Sequence, residues 1–341
     1  MPTHYAIPCA IFLALALLLP VPGYAEEQGE GAEEKLRTFP DLNSSMTLNF
    51  ENDTFDDRDG NYTNGVRLAR LTPENEMPRL ADRIAGVLPF KGNRRWHLEI
   101  GQSMFTPSDI TQPQLQRDDR PYAGWLYAGT GILWDTGYHM DNLNIMLGMV
   151  GPASGAEHTQ KFVHSVVDAQ KPLGWTHQLR NEPGIVLTYE RKWHGLYEFS
   201  PFGLGADIIP SIGGSVGNIY TYASAGAVLR IGYDLPSDYG PPLMQPNLSG
   251  SDFFIPEKGL GWYLFAGADG RAVGRNIFLD GNTWKDSHSV DKHVLVGGLQ
   301  AGVAITLDLV RISYTHNFRS KEFEGQRHPN NFGVVTLSWR Y

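Results

Sequence analysis

Hydrophobic and polar residues alternate with a period of two along most of the chain. Trp96, Leu98, Ile100 and Met104 share one parity, and Arg95, His97, Glu99 and Ser103 share the other. The same alternation recurs in residues 142–149, 185–193 and 310–318. It is typical of strands with one apolar face and one polar face, so it predicts either a soluble β-sandwich or a barrel that crosses a membrane with strands.

The C-terminus favours the barrel over the sandwich. Val335, Leu337, Trp339 and Tyr341 share one face of a predicted strand, and Tyr341 is the last residue of the chain. An amphipathic strand that ends on a terminal aromatic residue resembles the recognition signal of bacterial outer-membrane barrels. We therefore expect an all-β fold: one twelve-stranded antiparallel transmembrane β-barrel over residues 43–341, with one short helix on an extracellular loop.

The pattern predicts an even number of strands, as single-chain bacterial barrels have. The predicted strands are 45–53, 62–72, 95–105, 122–134, 142–150, 184–193, 200–209, 219–233, 262–270, 294–307, 309–318 and 332–341. With a periplasmic N-terminus, the extracellular connections are 54–61, 105–121, 151–183, 210–218, 271–293 and 319–331. The densest polar motifs fall in the first three of these connections.

Composition narrows the function classes. The 341 residues carry 28 Lys and Arg against 37 Asp and Glu, a formal net charge of −9. This acidic balance argues against nucleic-acid binding, because a surface that neutralises phosphates needs an excess of cations. Residues 1–25 have the apolar core and small-residue cleavage site of a signal peptide, and they contain Cys9, the single cysteine. Residues 26–42 are predicted to be a flexible leader, and the mature protein is expected to lie in the bacterial outer membrane as a monomer.

The first polar motif spans the first extracellular connection. Asn52 and Asp53 end one predicted strand, Tyr62 and Thr63 begin the next, and three aspartates lie between them. Clustered carboxylate and amide oxygens suit Ca²⁺, which takes six to eight oxygen ligands. Asp and Asn are also common in polar turns, so the motif predicts either a calcium site or a hairpin loop.

The second and third connections supply further candidates. Arg120 at the start of the fourth strand either binds a phosphate or carboxylate, or merely orders its loop. A helix is predicted over residues 156–168, with Ser154 as its N-cap and its valines packed on the barrel. Gln160 and His164 share a face of this helix, and a histidine there is either a general base or an ordinary surface residue. Tyr122, Trp125 and Tyr127 are predicted to belong to an interfacial aromatic girdle.

Three motifs in this order resemble the outer-membrane lipid A deacylases of the LpxR type. They are ENDTF…YTNGVRL, TPSDI…DDRPYAGWLYAG and GPASGAE…QKFVH…GWTHQLRNEPG. The resemblance implies a twelve-stranded barrel that removes the 3′-linked acyloxyacyl group from lipid A in the outer leaflet, with a divalent cation expected to be Ca²⁺. It also implies a site between the barrel wall and a loop helix.

The resemblance assigns roles to particular residues. The implied catalytic residues are His164, Gln160, Thr63 and Asn52; the implied metal ligands are Asp53, Asn52 and Asp168; the implied lipid A contacts are Arg120, Lys161 and Tyr62. In this mechanism His164 takes a proton from the attacking water, and the cation polarises the ester carbonyl. Two departures from the family stand out, because Gln112 and Pro113 replace basic residues and Gln170 replaces a glutamate, for which Asp168 is the nearest substitute.

Two other function classes remain open at this stage. A non-enzymatic barrel, either a channel or a scaffold, would have a polar lumen without clustered residues at the rim. A phospholipase-type barrel would carry a serine nucleophile beside a histidine on one strand. His288 and Ser289 form the nearest such pair, and they fall in a predicted loop.

Overall fold

The computed structural model describes residues 40–53, 61–194, 199, 203–244, 251–256 and 259–341. The predicted signal peptide and most of the predicted leader lie outside the described residues. The strands are β1 (Ser45–Asn52), β2 (Asn61–Leu71), β3 (Asn93–Thr106), β4 (Ala123–Asp135), β5 (His139–Val150), β6 (Glu182–Trp193), β7 (Gly205–Gly217), β8 (Tyr220–Tyr233), β9 (Leu260–Asn276), β10 (Leu295–Leu307), β11 (Val310–Arg319) and β12 (Asn330–Arg340).

The twelve strands form a closed antiparallel barrel in which each strand pairs with its sequence neighbours. Closure comes from β1 and β12, which pair from Ser45 opposite Arg340 to Asn52 opposite Gly333. In lipid, closure matters because a sheet edge would leave backbone N–H and C=O groups without hydrogen-bond partners. The predicted fold class is therefore confirmed.

We call the end of the barrel where β1 begins and β12 ends the terminal end, and the other the loop end. Side chains alternate between an outer face and the lumen, as the sequence pattern predicts. Large apolar side chains are exposed on the outer face, among them Leu48, Phe50, Ile100, Leu126, Leu147, Ile185, Leu187, Ile312, Val335 and Leu337. Exposed apolar side chains in such number are favourable only in apolar surroundings, so this face fits a lipid bilayer.

Two strands extend further than the sequence predicts. β7 ends at Gly217, so residues 210–217 are strand and only two residues connect it to β8. β9 runs to Asn276 rather than to residue 270. Gly and Ser in both stretches resemble turn signals, yet here glycine permits close strand approach, because a Cβ on Gly217 would lie 2.0 Å from the Ile185 carbonyl oxygen.

The sequence predicts one helix, but the described residues contain three α-helices. They are α1 (Arg79–Val87) between β2 and β3, α2 (Ala156–Val166) between β5 and β6, and α3 (Ile277–Asp280) after β9. The predicted helix is α2. α1 begins after Pro78 and ends before Pro89, as expected for a helix bounded by prolines. No helix within the described residues is long and apolar enough to span a membrane.

The connection between β8 and β9 starts at the terminal end and folds into the lumen. Leu243 and Met244 pack in the same buried cluster as Tyr62 and Phe105, which lie near the loop end of their strands. The backbone N–H of Met244 donates to the carboxylate of Glu51 at 2.8 Å. This segment therefore crosses most of the lumen, so the barrel is filled rather than open.

Buried ion pairs hold the segment in place. Asp252 accepts two hydrogen bonds from the Arg67 guanidinium, at 2.9 and 2.5 Å. Asp238 pairs with both Arg230 and Arg311, and none of these three side chains is exposed to solvent. Charges taken out of water are tolerated only when paired, so the segment and the lumen strands depend on each other.

We expect Asp238→Ala to destabilise the barrel strongly. The change leaves Arg311 buried without its carboxylate partner, which typically costs about 3–5 kcal/mol. Equilibrium urea unfolding of the refolded protein in detergent measures this loss. Asp286→Ala, at an exposed loop position, is the matched control and should unfold like the unchanged protein. Equal stability of the two variants would contradict a structural role for the Asp238 pairs.

Candidate functional site between the barrel wall and the loop helix

Helix α2 packs on the outer face of the barrel near the loop end. A Cβ on Gly124 of β4 would lie 2.3 Å from the Ala156 Cβ and 2.2 Å from the Ser154 Oγ, so only glycine allows the helix to approach this closely. The Gln102 side chain of β3 donates to the Ser154 carbonyl oxygen at 2.7 Å. Gly155, with φ 72°, is the N-cap residue, so the prediction of Ser154 was wrong by one position.

The face that α2 turns to the barrel differs from the predicted one. Ala156 and Gln160 are its buried residues. Val163, Val166 and Val167, predicted to pack on the barrel, are exposed instead. The prediction was wrong because Gly124 accepts only the small Ala156 beneath the helix start, which fixes the rotation of the helix and turns the valines outward.

Gln160 presents an amide group to the space beneath the helix. Its Oε1 accepts a hydrogen bond from the Trp175 indole at 2.7 Å, which fixes the orientation of the amide. The Nε2 atom is buried and has no hydrogen-bond partner among the described residues. A buried donor without an acceptor costs free energy, so Nε2 is a candidate group for binding a substrate oxygen.

His164 lies one turn after Gln160 on the same helix and is half-buried. Its Nδ1 atom lies 2.5 Å from the Gln170 backbone carbonyl oxygen. Because a carbonyl only accepts hydrogen bonds, Nδ1 carries the proton and Nε2 is the acceptor nitrogen of the neutral ring. The partner is a backbone oxygen, so this contact does not depend on the side chain at position 170.

Asp168 makes the turn that creates this contact. It has φ 53°, a left-handed conformation that Asp adopts more readily than most residues. The next N–H, of Ala169, donates to the His164 carbonyl oxygen at 2.9 Å, which is the hydrogen bond of a Schellman helix ending. The chain then turns back and brings Gln170 to the imidazole.

A β-bulge shapes the wall next to the strands that α2 covers. The register of β2 against β3 shifts between Tyr62 and Asn64, so Thr63 is the extra residue. Its hydroxyl lies 2.7 Å from the hydroxyl of Thr106, which shares the outer face of β3 with Ile100. Asn52 lies opposite Asn64 and continues the outer face of β1 beyond Phe50. The outer wall thus becomes polar near the loop end.

Asp53 follows β1 and is buried, and its N–H donates to the Thr63 carbonyl oxygen at 3.4 Å. One carboxylate beside hydroxyl and amide oxygens is a donor set that fits a hard cation such as Ca²⁺. Among the described residues, no three acidic, histidine or cysteine side chains form a metal-binding group. Asp168 is exposed, and its assignment as a ligand stays a prediction. The aspartates at 56, 57 and 59 lie outside the described residues.

The predicted lipid A contacts are dispersed. Tyr62 packs against Phe105 and Phe332 in the lumen cluster. Lys161 is exposed on α2 and pairs with Glu157 at 2.6 Å. The prediction of an aromatic girdle was wrong: Trp125 and Tyr127 occupy lumen positions of β4 and stack on each other in the buried core. Tyr122 is buried in a cluster with Trp175 and Ala156. The structure therefore does not bring Tyr62 and Lys161 to one surface.

Arg120 is also buried, and it pairs with Glu322 of the β11–β12 connection at 2.8 Å. Burial alone would raise the pKa of Glu322, but the charges of Arg319, Arg120 and Arg271 outweigh it and hold that pKa below its ordinary value. The pair is therefore ionised and ties two connections together at the loop end.

The His288 ring bonds to the Asp119 backbone carbonyl oxygen at 2.7 Å, in a loop rather than on a strand.

These features define the class of protein. A closed barrel with an apolar exterior and a filled, polar lumen is an integral outer-membrane β-barrel protein. The chain belongs to the LpxR family, because the family model described as "Outer membrane protein LpxR" matches residues 11–341. No curated protein sequence matches this chain.

Solved structures agree on the fold. LpxR from Salmonella typhimurium superposes with a TM-score of 0.71 at 21% sequence identity, covering 86% of this chain and 99% of that chain. The β domain of the Bordetella autotransporter Brka gives a TM-score of 0.41 at 10% identity, covering 89% and 98%. The Salmonella likeness supports the barrel architecture, whereas the second is too distant to add to it.

We expect Gly124→Ala to displace α2 from the wall, because the new Cβ would overlap Ala156 and Ser154. The measurement is limited proteolysis of the folded barrel, with cleavage between residues 151 and 181 expected to accelerate. Gly270→Ala is the control, since a Cβ there meets nothing within 4 Å. Heat-dependent gel mobility should show both variants folded. Unchanged protection of the loop in Gly124→Ala would contradict the packing argument.

Proposed function

We propose that this protein is an outer-membrane lipid A deacylase that hydrolyses the 3′-acyloxyacyl ester at its loop end, on the extracellular side. The family supports a role at the outer membrane. The observation that carries the proposal is the His164 imidazole, oriented by a backbone carbonyl on a helix that covers a polar stretch of the outer wall. The filled lumen offers no support for a channel.

The position of the site suits a lipid substrate. Ile100 and Leu126 are exposed on the outer wall below α2, whereas Gln102, Thr106 and Asn52 are polar near the rim. A lipid whose acyl chains lie along the apolar wall would bring its ester groups to this polar stretch. Polar groups on the lipid-facing side are costly, so their clustering here fits recognition of a lipid's polar part.

The chain's own residues supply proton transfer and positioning. With Nδ1 held by Gln170, the Nε2 of His164 takes the proton of the attacking water and later gives it to the leaving alcohol. The Gln160 Nε2 donates to an ester oxygen, and Trp175 keeps the amide oriented for that contact. Thr63, through its hydroxyl pair with Thr106, positions the ester against the wall. Arg120 and Tyr62 keep the loop end folded from inside the barrel.

Asp53 and the amide of Asn52 are the residues that would hold Ca²⁺. A bound Ca²⁺ supplies a positive charge that polarises the ester carbonyl. Asn52 extends the outer face of β1 toward the substrate side, and Asp53 follows it directly. Asp168 is not included among the ligands. The left-handed turn already accounts for an Asp at this position.

His164→Ala should lose deacylase activity by about 10²–10⁴-fold, the usual contribution of a general base. The measurement is mass spectrometry of lipid A from a Gram-negative host that expresses each variant. His158→Ala is the matched control, because His158 is exposed on the same helix. Purified protein assayed with a chelator, and again after Ca²⁺ is restored, tests the cation separately. Full activity of His164→Ala would refute the mechanism.

Asp168→Gly should retain activity, because glycine adopts the left-handed turn without steric cost. Asp168→Val should lose activity, because a β-branched residue disfavours this conformation and moves Gln170 away from His164. Single-turnover assays on purified lipopolysaccharide measure both variants, and Gln170→Ala should behave like Asp168→Gly. If Asp168→Gly instead lost activity and excess Ca²⁺ restored it, Asp168 would be a metal ligand and the turn argument would be wrong.

A further inference from the structure

Helix α1 belongs to the connection between β2 and β3, at the terminal end of the barrel. It lies on the outside of the barrel. Ala85 of the helix packs against Ile132 and Trp134 of β4. These two residues share the outer face of β4 with Leu126, so α1 occupies space that lipid would otherwise fill. Phe90, just after the helix, packs against Trp134, with ring centroids 4.8 Å apart and ring planes tilted by 47°.

A second face of α1, beside the one that packs on the barrel, is also apolar. Leu80, Ile84 and Val87 are exposed to 69%, 46% and 82%. Their spacing places them on one stripe of the helix. One apolar face of the helix packs on the protein, and the other is exposed. The exposed apolar face is stable only if its surroundings are apolar.

Basic residues lie beside this stripe. Arg79 and Arg83 are exposed on the helix itself, and they have no acidic partner among the described residues. Within residues 70–94, five cations are exposed or half-exposed, against two exposed acids at positions 76 and 82. The third acid of this range, Glu74, is buried. One of these acids, Asp82, already pairs with Arg94 at 2.8 Å. The whole chain carries a net charge of −9, so this local excess of positive charge runs against its average.

We propose that α1 is an in-plane membrane helix that binds the glycerophospholipids of the leaflet at the terminal end. Leu80, Ile84 and Val87 enter the acyl layer, while Arg79 and Arg83 bind the lipid phosphates. Amphipathic helices with basic polar faces bind anionic membrane surfaces in this way. The lipid-facing wall of β4 is continuous with the helix, which favours lipid over a protein partner. The proposal is independent of the deacylase site at the loop end.

The depth of Val87 tests the apolar contact. Val87→Cys, in a Cys9→Ser background, is labelled with an environment-sensitive fluorophore, and the full chain is refolded into vesicles of phosphatidylcholine and phosphatidylglycerol. Phospholipids spin-labelled on the acyl chain should quench this label as strongly as one at Leu147→Cys on the lipid-facing wall. A label at Asp286→Cys, in a loop at the other end, should remain unquenched and accessible to iodide.

Two outcomes of this experiment would overturn the proposal. The first is quenching of the Val87 label by iodide but not by the lipid spin labels. The second is shielding that appears only at high protein-to-lipid ratio, which would identify a second copy of the chain as the occupant. Dilution of the protein in the vesicles separates contact with lipid from contact with another copy.

Charge reversal tests the phosphate contacts. Arg79→Glu combined with Arg83→Glu should lower the phosphatidylglycerol retained in native mass spectra by about tenfold or more, since each basic residue near an anionic surface strengthens binding severalfold. Arg79→Lys combined with Arg83→Lys should retain the lipid. Both variants should keep deacylase activity on detergent-solubilised substrate. Equal lipid retention by the Glu and Lys variants would refute the head-group contacts.

Discussion

The pairing of β1 with β12 is the constraint on which the rest of the structure depends. It gives hydrogen-bond partners to the backbone N–H and C=O groups at the two remaining sheet edges. Lipid offers no other partner for these groups. Once the ring is closed, every strand residue points either to the bilayer or to the lumen. A functional site then arises where a loop or helix covers the outer surface or fills the lumen.

The two surfaces are completed in different ways. The lumen is filled by the segment between β8 and β9, whose carboxylates at Asp238 and Asp252 neutralise arginines of the strands. The outer wall is covered near the loop end by α2, where Gln102 and Thr106 replace the apolar residues found lower on β3. These two polar side chains of β3 thus lie on the part of the outer wall that the helix covers.

Sequence alone could predict the barrel, because alternation of side chains is a direct result of strand geometry. It could also place Gln160 and His164 on one helix face, because four residues are one helical turn. It could not give the rotation of α2, which depends on a contact between Gly124 and Ala156 far apart in the chain. Nor could it identify the partner of His164, because that partner is a backbone carbonyl and no residue type marks it.

The two longer helices pack on the outer wall in a similar way, at opposite ends of the barrel. Each places a small residue on the barrel, Ala156 over Gly124 for α2 and Ala85 beside Trp134 for α1. Each leaves large apolar side chains exposed, with Phe162 on α2 as open as Leu80 on α1. Small residues bring a helix close enough to share the membrane environment of the strands. The same geometry therefore produces both the shielded polar site near the rim and the basic amphipathic surface at the other end.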